Sequence, residues 1–366
     1  MTDWPLVASE DGVRAQILSI LRAWGLPDEP AAVVAGVMTD TDLAGVDSHG
    51  IAMLSAYERL LDTGELNVTA VPEIVDDGAS YAILDARAGL GHIAAVQAVD
   101  LAASKAGETG VGVVAVRNSH HYGAVGHYVA RAAERGLVCF ASTTTRVVSV
   151  LPARGKVPRL GTNPIAFGAP TGAGWPLVLD MSTSTVANNK VRAYALRKKP
   201  LPPGWVLDPA GNPIVDPHEA RAQVTAEEAG GLTPLGGTED LGNHKGYGLA
   251  IMAQVLSATL CGAAFAPLRQ SGATDDIGHF FLVLDPAVFR QDGRFVADID
   301  AMVELLHATP PLDPDRPVLV PGEPEEMSRR HRREHGIPLP TDLVDEIRAI
   351  CGRHGASFNL GDAVTA

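Results

Sequence analysis

Between residues 80 and 143 the chain changes texture four times. SYAILDA (80–86) is strand-like, HIAAVQAVDLAASKA helix-like, VGVVAV (111–116) strand-like, HYVARAAERG helix-like and LVCFAST strand-like again. Val, Ile, Phe and Thr suit a pleated surface, whereas Ala-rich runs suit helices. Strands alternating with helices predict an α/β core, in which the helices cover the sheet. PIAFGAP, PLVLDMS and HFFLVLDP are further predicted strands.

Ahead of this core, Val13, Ile17, Leu21 and Trp24 recur at helical spacing over residues 9–26, and Gly25 with Pro27 stops the pattern. A second helix is predicted from Asp28, with Pro30 in its first turn. A third follows Asp47-Ser48-His49-Gly50 and puts Ile51, Leu54, Tyr57 and Leu61 on one face. Residues 196–240 read as a long loop rich in Pro and Gly, and YGLAIMAQVLSATLCGA (247–263) reads as one buried helix.

At 366 residues and 46% hydrophobic, with mean hydropathy +0.09, the chain has the makings of a folded core rather than a disordered segment. At about 100–200 residues per domain, that length corresponds to two or three domains or one large one. The net charge of −14 excludes the basic excess that drives nonspecific binding to nucleic acid or to an anionic membrane. It leaves room for an anionic small substrate, which feels only the local field of its cleft. Cys139, Cys261 and Cys351 are sparse, odd in number and set in apolar surroundings, so they read as buried thiols in a reducing cytoplasm. No apolar stretch approaches the length of about 18 residues needed for a membrane span, and the N-terminus lacks the basic flank and apolar core of a signal peptide.

Several short segments carry chemistry. Gly89-Leu90-Gly91-His92-Ile93-Ala94 follows a strand and opens a helix, like a dinucleotide fingerprint. The next strand ends in Arg117-Asn118 rather than an acidic residue, so close helix–strand packing is the plainer reading. Asn118-Ser119-His120-His121-Tyr122-Gly123 closes a strand where α/β sheets gather ligands, and a histidine there can exchange a proton near neutral pH. Helix capping or packing is its alternative. His120, His121 and His127 lack the spacing and neighbouring carboxylates of a metal site, so no metal is expected. Asp47-Ser48-His49-Gly50 reads either as a helix cap or as part of a Ser–His–carboxylate relay. Gly161-Thr162-Asn163-Pro164 and Asp180-Met181-Ser182-Thr183-Ser184 are turns able to offer N–H groups to phosphate. Lys245, in GNHKGYG at a helix start, suits an anion or simply faces solvent. The run Arg329–Arg333 reads as a solvated helix face, with phosphate or nucleic-acid binding as the alternative.

Together DSHGI, RNSHHYGAVGHY, LGTNPIAFGAP, LDMSTS, PLPPGWVLDPAGNP, PLGG, HKGYGLA and GHFF resemble, in order, the malate/L-lactate dehydrogenase family. That family is unrelated to the Rossmann lactate dehydrogenases and includes ureidoglycolate, sulfolactate and diketogulonate oxidoreductases and cyclic-imine reductases. The resemblance spans about residues 5 to 350. It implies a three-layer α/β/α fold around a mixed seven-stranded sheet with a non-Rossmann cofactor site. It further implies a helical segment (1–75), a sheet core (76–285) and a C-terminal segment (286–366) that packs back on the first.

By the same resemblance, NAD is the expected cofactor, with NADP the alternative, and the partners are a small-molecule substrate and a second copy in a homodimer. His121 matches the family's acid–base histidine, acting as an imidazolium in the reductive direction. Ser48 and His49 match its Ser–His pair, with Asp180 completing a relay. Thr145, Thr162, Asn163, Asp180, Met181, Ser182 and Lys245 fall on cofactor-approaching motifs, and Met53, Tyr57 and Lys190 on the substrate side.

Met53 departs from the family, where an arginine commonly pairs with the substrate carboxylate. A thioether cannot replace that planar fork. Either another cation (Arg59, Arg146, Lys190 or Arg192) takes the carboxylate, or the substrate carries a bulkier apolar group. Asn189 stands before Lys190 where Gly is common, and ARAQVTAEEAGG looks like an insert in the 196–240 loop. The readings are thus a 2-hydroxy-acid dehydrogenase, a reductase of cyclic or N-alkyl imines of 2-oxo acids, and a non-catalytic binding protein on the same scaffold.

Overall fold

A computed structural model describes residues 6–226, 228–270 and 273–361. β1 (Leu6–Ala8) leads to α1 (Glu10–Ala23), which Ser9 caps by accepting the Gly12 N–H at 3.1 Å. α2 (Asp28–Leu43) starts with Pro30 in its first turn, where the missing N–H costs no helical bond. A 3-10 turn (Ile51–Met53) follows the DSHG turn and runs into α3 (Leu54–Asp62). Val13, Ile17, Leu21, Leu54 and Tyr57 are fully buried in one apolar cluster, which fits the helical spacing of their sequence.

The chain then forms β2 (Glu73–Asp77), β3 (Tyr81–Gly89), α4 (Gly91–Thr109), β4 (Val111–Ser119), α5 (Val125–Ala133), β5 (Val138–Thr143), β6 (Ile165–Ala169) and β7 (Leu177–Met181). α6 (Asn188–Leu196), β8 (Val206–Leu207), α7 (Pro217–Thr225), β9 (Gly231–Leu232) and α8 (His244–Gln254) precede β10 (Ile277–Leu284). α9 (Pro286–Phe289), α10 (Phe295–His307), α11 (Glu323–His335), β11 (Ile337–Leu339) and α12 (Thr341–His354) complete it. The seven-stranded sheet runs β2-β3-β4-β10-β5-β6-β7. β3 and β4 are parallel and the other neighbours antiparallel, so the sheet is mixed. α4 and α5 cover one face, and the turn that continues α8 (Val255–Thr259) packs on β4, β5 and β10 from the other. β11 pairs with β1, which brings the C-terminal end back to the start of the chain.

Three sequence readings need correction. The 196–240 stretch is not a plain loop. It holds β8, α7 and β9 around their own buried cluster, including Val206, Ile214, Val224 and Leu232. Asp216-Pro217 starts α7, with the Asp216 carboxylate accepting the N–H groups of His218 and Glu219. Much of ARAQVTAEEAGG is therefore helix α7, and its Glu227 lies outside the described residues. The 247–263 helix is α-helical only to Gln254, passes into a π turn, and leaves Ile251, Val255 and Leu260 exposed. The basic run on α11 is not a simply solvated face either. Arg329 reaches Asp40 at 2.9 Å, and Arg332 bonds the Asp42 carbonyl and the Asp47 carboxylate.

Candidate active site

Strand register brings the sequence motifs to one end of the sheet. Ser119 lies beside Gly89 on one side and opposite Ile277 on the other. His279 is opposite Thr143, Ser142 opposite Ile165, and Ile165 opposite Met181. The C-terminal ends of β3, β4, β5 and β7 and the N-terminal ends of β6 and β10 thus share a rim. His121, Thr145, Thr162, Asn163 and Ser182 all leave or enter the sheet there. This is where open α/β sheets bind ligands.

His121 is half-buried on this rim. Its Nδ1 lies 2.8 Å from the Tyr57 hydroxyl and 3.3 Å from the Gly123 N–H. Gly91 makes room for the loop, because a Cβ there would sit 2.2 Å from the His120 carbonyl oxygen. That contact supports the packing reading of Gly89-x-Gly91. The His49 ring lies 5.3 Å from His121, with its Nδ1 at 2.7 Å from Ser48 Oγ. Burial pulls the His49 pKa down to about 4. Burial, with the neighbouring His49, His92 and His279, holds His121 well below the usual histidine value. Both shifts favour the neutral imidazole.

Asp180 does not join the Ser48–His49 pair through its described hydrogen bonds. Its Oδ2 accepts the Gly126 N–H at 2.7 Å, at the N-terminus of α5. Unsatisfied N–H groups and the positive end of the helix dipole favour a carboxylate at that position. Tyr57 is fully buried, with its hydroxyl 2.8 Å from His121 Nδ1. Met53 is half-buried against the N-terminal apolar cluster.

The turns on the far side of the rim are knitted together. Thr183 donates from N and Oγ1 to the Thr162 carbonyl, both at 2.9 Å. Leu235 of PLGG donates to the Thr183 carbonyl, and Gly246 of α8 donates to Leu235. Asn163 is buried, and its side-chain amide donates to the Ala250 carbonyl at 3.1 Å, which ties the turn to α8. Thr145 is half-exposed beside Gly161, where a Cβ would meet its Oγ1 at 1.7 Å. Thr162, Met181 and Ser182 are half-exposed, and Lys245 is exposed in the first turn of α8. Lys190 is exposed with its Nζ over the Trp205 ring, 5.7 Å from the centroid. Of the four candidate cations, Arg59, Lys190 and Arg192 are exposed on helices. Arg146 instead places its Nε 3.1 Å from buried Asp275.

Sequence reasoning missed Asp275, His279 and His92. Asp275 accepts from His120 at 3.2 Å and from Arg269 at 2.8 Å. Burial raises its pKa, but the His120 hydrogen bond and the Arg146 and Arg269 charges outweigh that and hold the carboxyl below its usual value. His279 bridges Thr143 and Ser119 at 2.7 and 2.9 Å, locking three strands at the rim. The Asp-Asp pair just before HFFLVLDP was the available signal for Asp275. Among the described residues no group of three or more His, Cys, Asp or Glu is placed to hold a metal ion, and no helix is long and apolar enough to cross a membrane.

A mixed sheet between helical layers, with histidines gathered on one rim, defines an α/β fold with a polar cluster at the end of its sheet. Residues 8–348 match the profile of the family described as malate/L-lactate dehydrogenase, and the chain belongs to that family. It is 34% identical over 349 residues to malate dehydrogenase from Pyrococcus horikoshii, covering 94% of this chain and 95% of that one. Its fold is similar to malate dehydrogenase from Entamoeba histolytica, with TM-score 0.91, 30% identity and coverage of 96% and 98% of the two chains. It is also similar to delta1-piperideine-2-carboxylate reductase from Pseudomonas syringae pv. tomato, with TM-score 0.81, 30% identity and coverage of 94% and 99%.

Proposed function

We propose that this protein is an NAD(P)-dependent oxidoreductase that interconverts a small 2-hydroxy acid and its 2-oxo acid. The observation that carries the reading is His121, half-buried on the sheet rim and held through Nδ1 by Tyr57. A nicotinamide bound on the rim supplies or accepts the hydride. The donors there fit such a group: exposed Lys245 offers a cation, and the half-exposed Thr162 and Ser182 offer hydroxyls. NAD is the form we favour, with NADP the alternative. His121 gives a proton to, or takes one from, the substrate oxygen. Its depressed pKa makes it a base at rest, and an arriving anion raises it toward the working pH. Ser48, through His49, orients the neighbouring ring.

The test is consumption of NADH or NADPH by the wild-type chain with 2-oxo acids of graded size, repeated with His121→Ala. We expect kcat to fall by about 100-fold or more, the scale of general acid–base catalysis. An unimpaired kcat overturns the assignment. The second reading, reduction of an imine of a 2-oxo acid, is favoured by the likeness to the piperideine-carboxylate reductase. It predicts faster turnover of pyruvate-type acids when methylamine is present.

A homodimer is part of the proposal. Ile251, Val255 and Leu260 beside the rim, and Met302, Leu305 and Leu306 on α10, are exposed apolar side chains that a second copy would cover. The three buried, unpaired thiols suit a reducing compartment, and we assign the chain to the cytoplasm.

A further inference from the structure

The basic run of α11 contains a pair of side chains that the oxidoreductase chemistry does not use. In His331-Arg332-Arg333-Glu334-His335 the two histidines stand four positions apart at the end of the helix, so both project from one face. Their ring centroids are 4.4 Å apart and the planes are inclined by 21°. Both side chains are exposed. Two imidazoles at this spacing are the two-point grip that zinc-binding helices offer.

One hydrogen bond sets the state of the second ring. The His331 carbonyl lies 3.1 Å from His335 Nδ1, and a carbonyl can only accept, so Nδ1 carries the N–H. In the neutral imidazole Nε2 then presents a free lone pair. An Nδ1–H held by a backbone carbonyl is also the usual support behind a metal-bound Nε2.

Four arginines share the helix, yet each is turned to a carboxylate: Arg329 to Asp40, Arg330 to Glu326, Arg332 to Asp47 and Arg333 to Glu10. That pairing leaves little positive charge for phosphate, the alternative reading of this run. On the histidine side, Glu334 Oε2 lies 3.9 Å from His335 Nδ1. The negative end of the helix dipole falls on the same turn and favours a cation.

We propose that His331 and His335 form a surface binding site for a divalent transition-metal ion, with His335 ligating through Nε2. Imidazole nitrogens suit Cu²⁺, Ni²⁺ and Zn²⁺, whereas Mg²⁺ and Ca²⁺ take oxygen ligands. Among the described residues no third His, Cys, Asp or Glu completes a cluster with them. Water fills the remaining positions, and the site binds metal without the three protein ligands of a catalytic zinc. A bound ion ties the last turn of α11, whose Arg332 holds the Asp42 carbonyl and the Asp47 carboxylate of the DSHG turn. Binding to the folded chain alone then raises its stability by mass action.

The experiment titrates the full chain, free of any affinity tag, with Cu²⁺, Ni²⁺, Zn²⁺ and Mg²⁺ at about pH 7.5, where an ordinary imidazole is neutral. Calorimetry gives the affinity, and thermal unfolding gives the shift in Tm. We expect one site per chain, tightest for Cu²⁺ and not filled by Mg²⁺. His331→Ala and His335→Ala should each weaken binding by about 100-fold, because the second imidazole acts at high effective concentration once the first is bound. Each should also abolish the metal-dependent rise in Tm while leaving the metal-free Tm nearly unchanged, since both positions are exposed. For bound Cu²⁺, electron paramagnetic resonance should show two imidazole nitrogens in wild type and one in either variant. An equal response to Mg²⁺, no binding at millimolar metal, or affinity unchanged in both variants overturns the proposal.

Discussion

Asp42 occupies the space that a side chain at Gly50 would need: a Cβ on Gly50 would lie 1.8 Å from Asp42 Oδ1. The other carboxyl oxygen of Asp42 accepts the Ile51 N–H at 2.8 Å. The turn carrying Ser48 and His49 is thereby clamped to the end of α2.

Gly50→Ala is expected to force Asp42 and the turn apart. Overpacking a tight site of this kind costs about 1–3 kcal/mol, and the displaced His49 adds a loss of activity. Urea unfolding and kcat/KM measured on the same preparation check both. A variant as stable and as active as wild type would count against the clamp.

Asp42 also carries a pH signature. Burial pushes its carboxyl up to about 8, against an ordinary value near 3.8. The folded state then holds a proton that the unfolded state has released. The resulting stability is complete below about pH 4 and is lost progressively as pH rises to about 8. Asp42→Asn keeps the shape without the titration. The two proteins should be similar in stability near pH 4, and wild type should fall increasingly below the variant as pH rises to 9, as denaturation followed across that range will show.

Asp275 joins the loop before β10 to His120 and to two arginines. Asp275→Ala leaves the buried His120 without its partner, and we expect about 3 kcal/mol of destabilisation, typical of a broken buried pair. Because its folded pKa is depressed, the contribution is present above the ordinary carboxyl value and is lost as pH falls below it. Wild type and variant should therefore converge in stability under acid.

Met53→Arg tests the apolar reading of the pocket. A guanidinium fork there should raise kcat/KM for a small dicarboxylic 2-oxo acid by about tenfold or more relative to a large apolar one. An unchanged ratio would place the carboxylate elsewhere, with Arg146 next to be replaced.

Local patterns revealed the helices and most strands because their periodicity is intrinsic: Val13, Ile17 and Leu21 recur at helical spacing and are all fully buried. The turns DSHG, NSHHYG, GTNP and DMSTS were visible as chemistry because small and polar residues interrupt apolar runs. Their convergence was not visible, since it depends on register between distant strands, such as Ile165 opposite Met181. Asp180 illustrates the difference. Its place on a motif suggested a relay, yet the nearby N-terminus of α5 provides its partner. The Tyr57–His121 contact was hidden for the same reason, because a contact across 64 positions leaves no local trace.

β10 is the last strand to enter the large sheet, yet it lies between β4 and β5. Until residues 277–284 leave the ribosome, those two strands present open edges, with apolar side chains such as Val114 and Ala141 beside an empty slot. The nascent chain must therefore keep a gap in its sheet through most of its synthesis. Such long-range closure is slow, and exposed edges invite pairing with other chains. The rim, and His121 with it, matures only when this strand slides home.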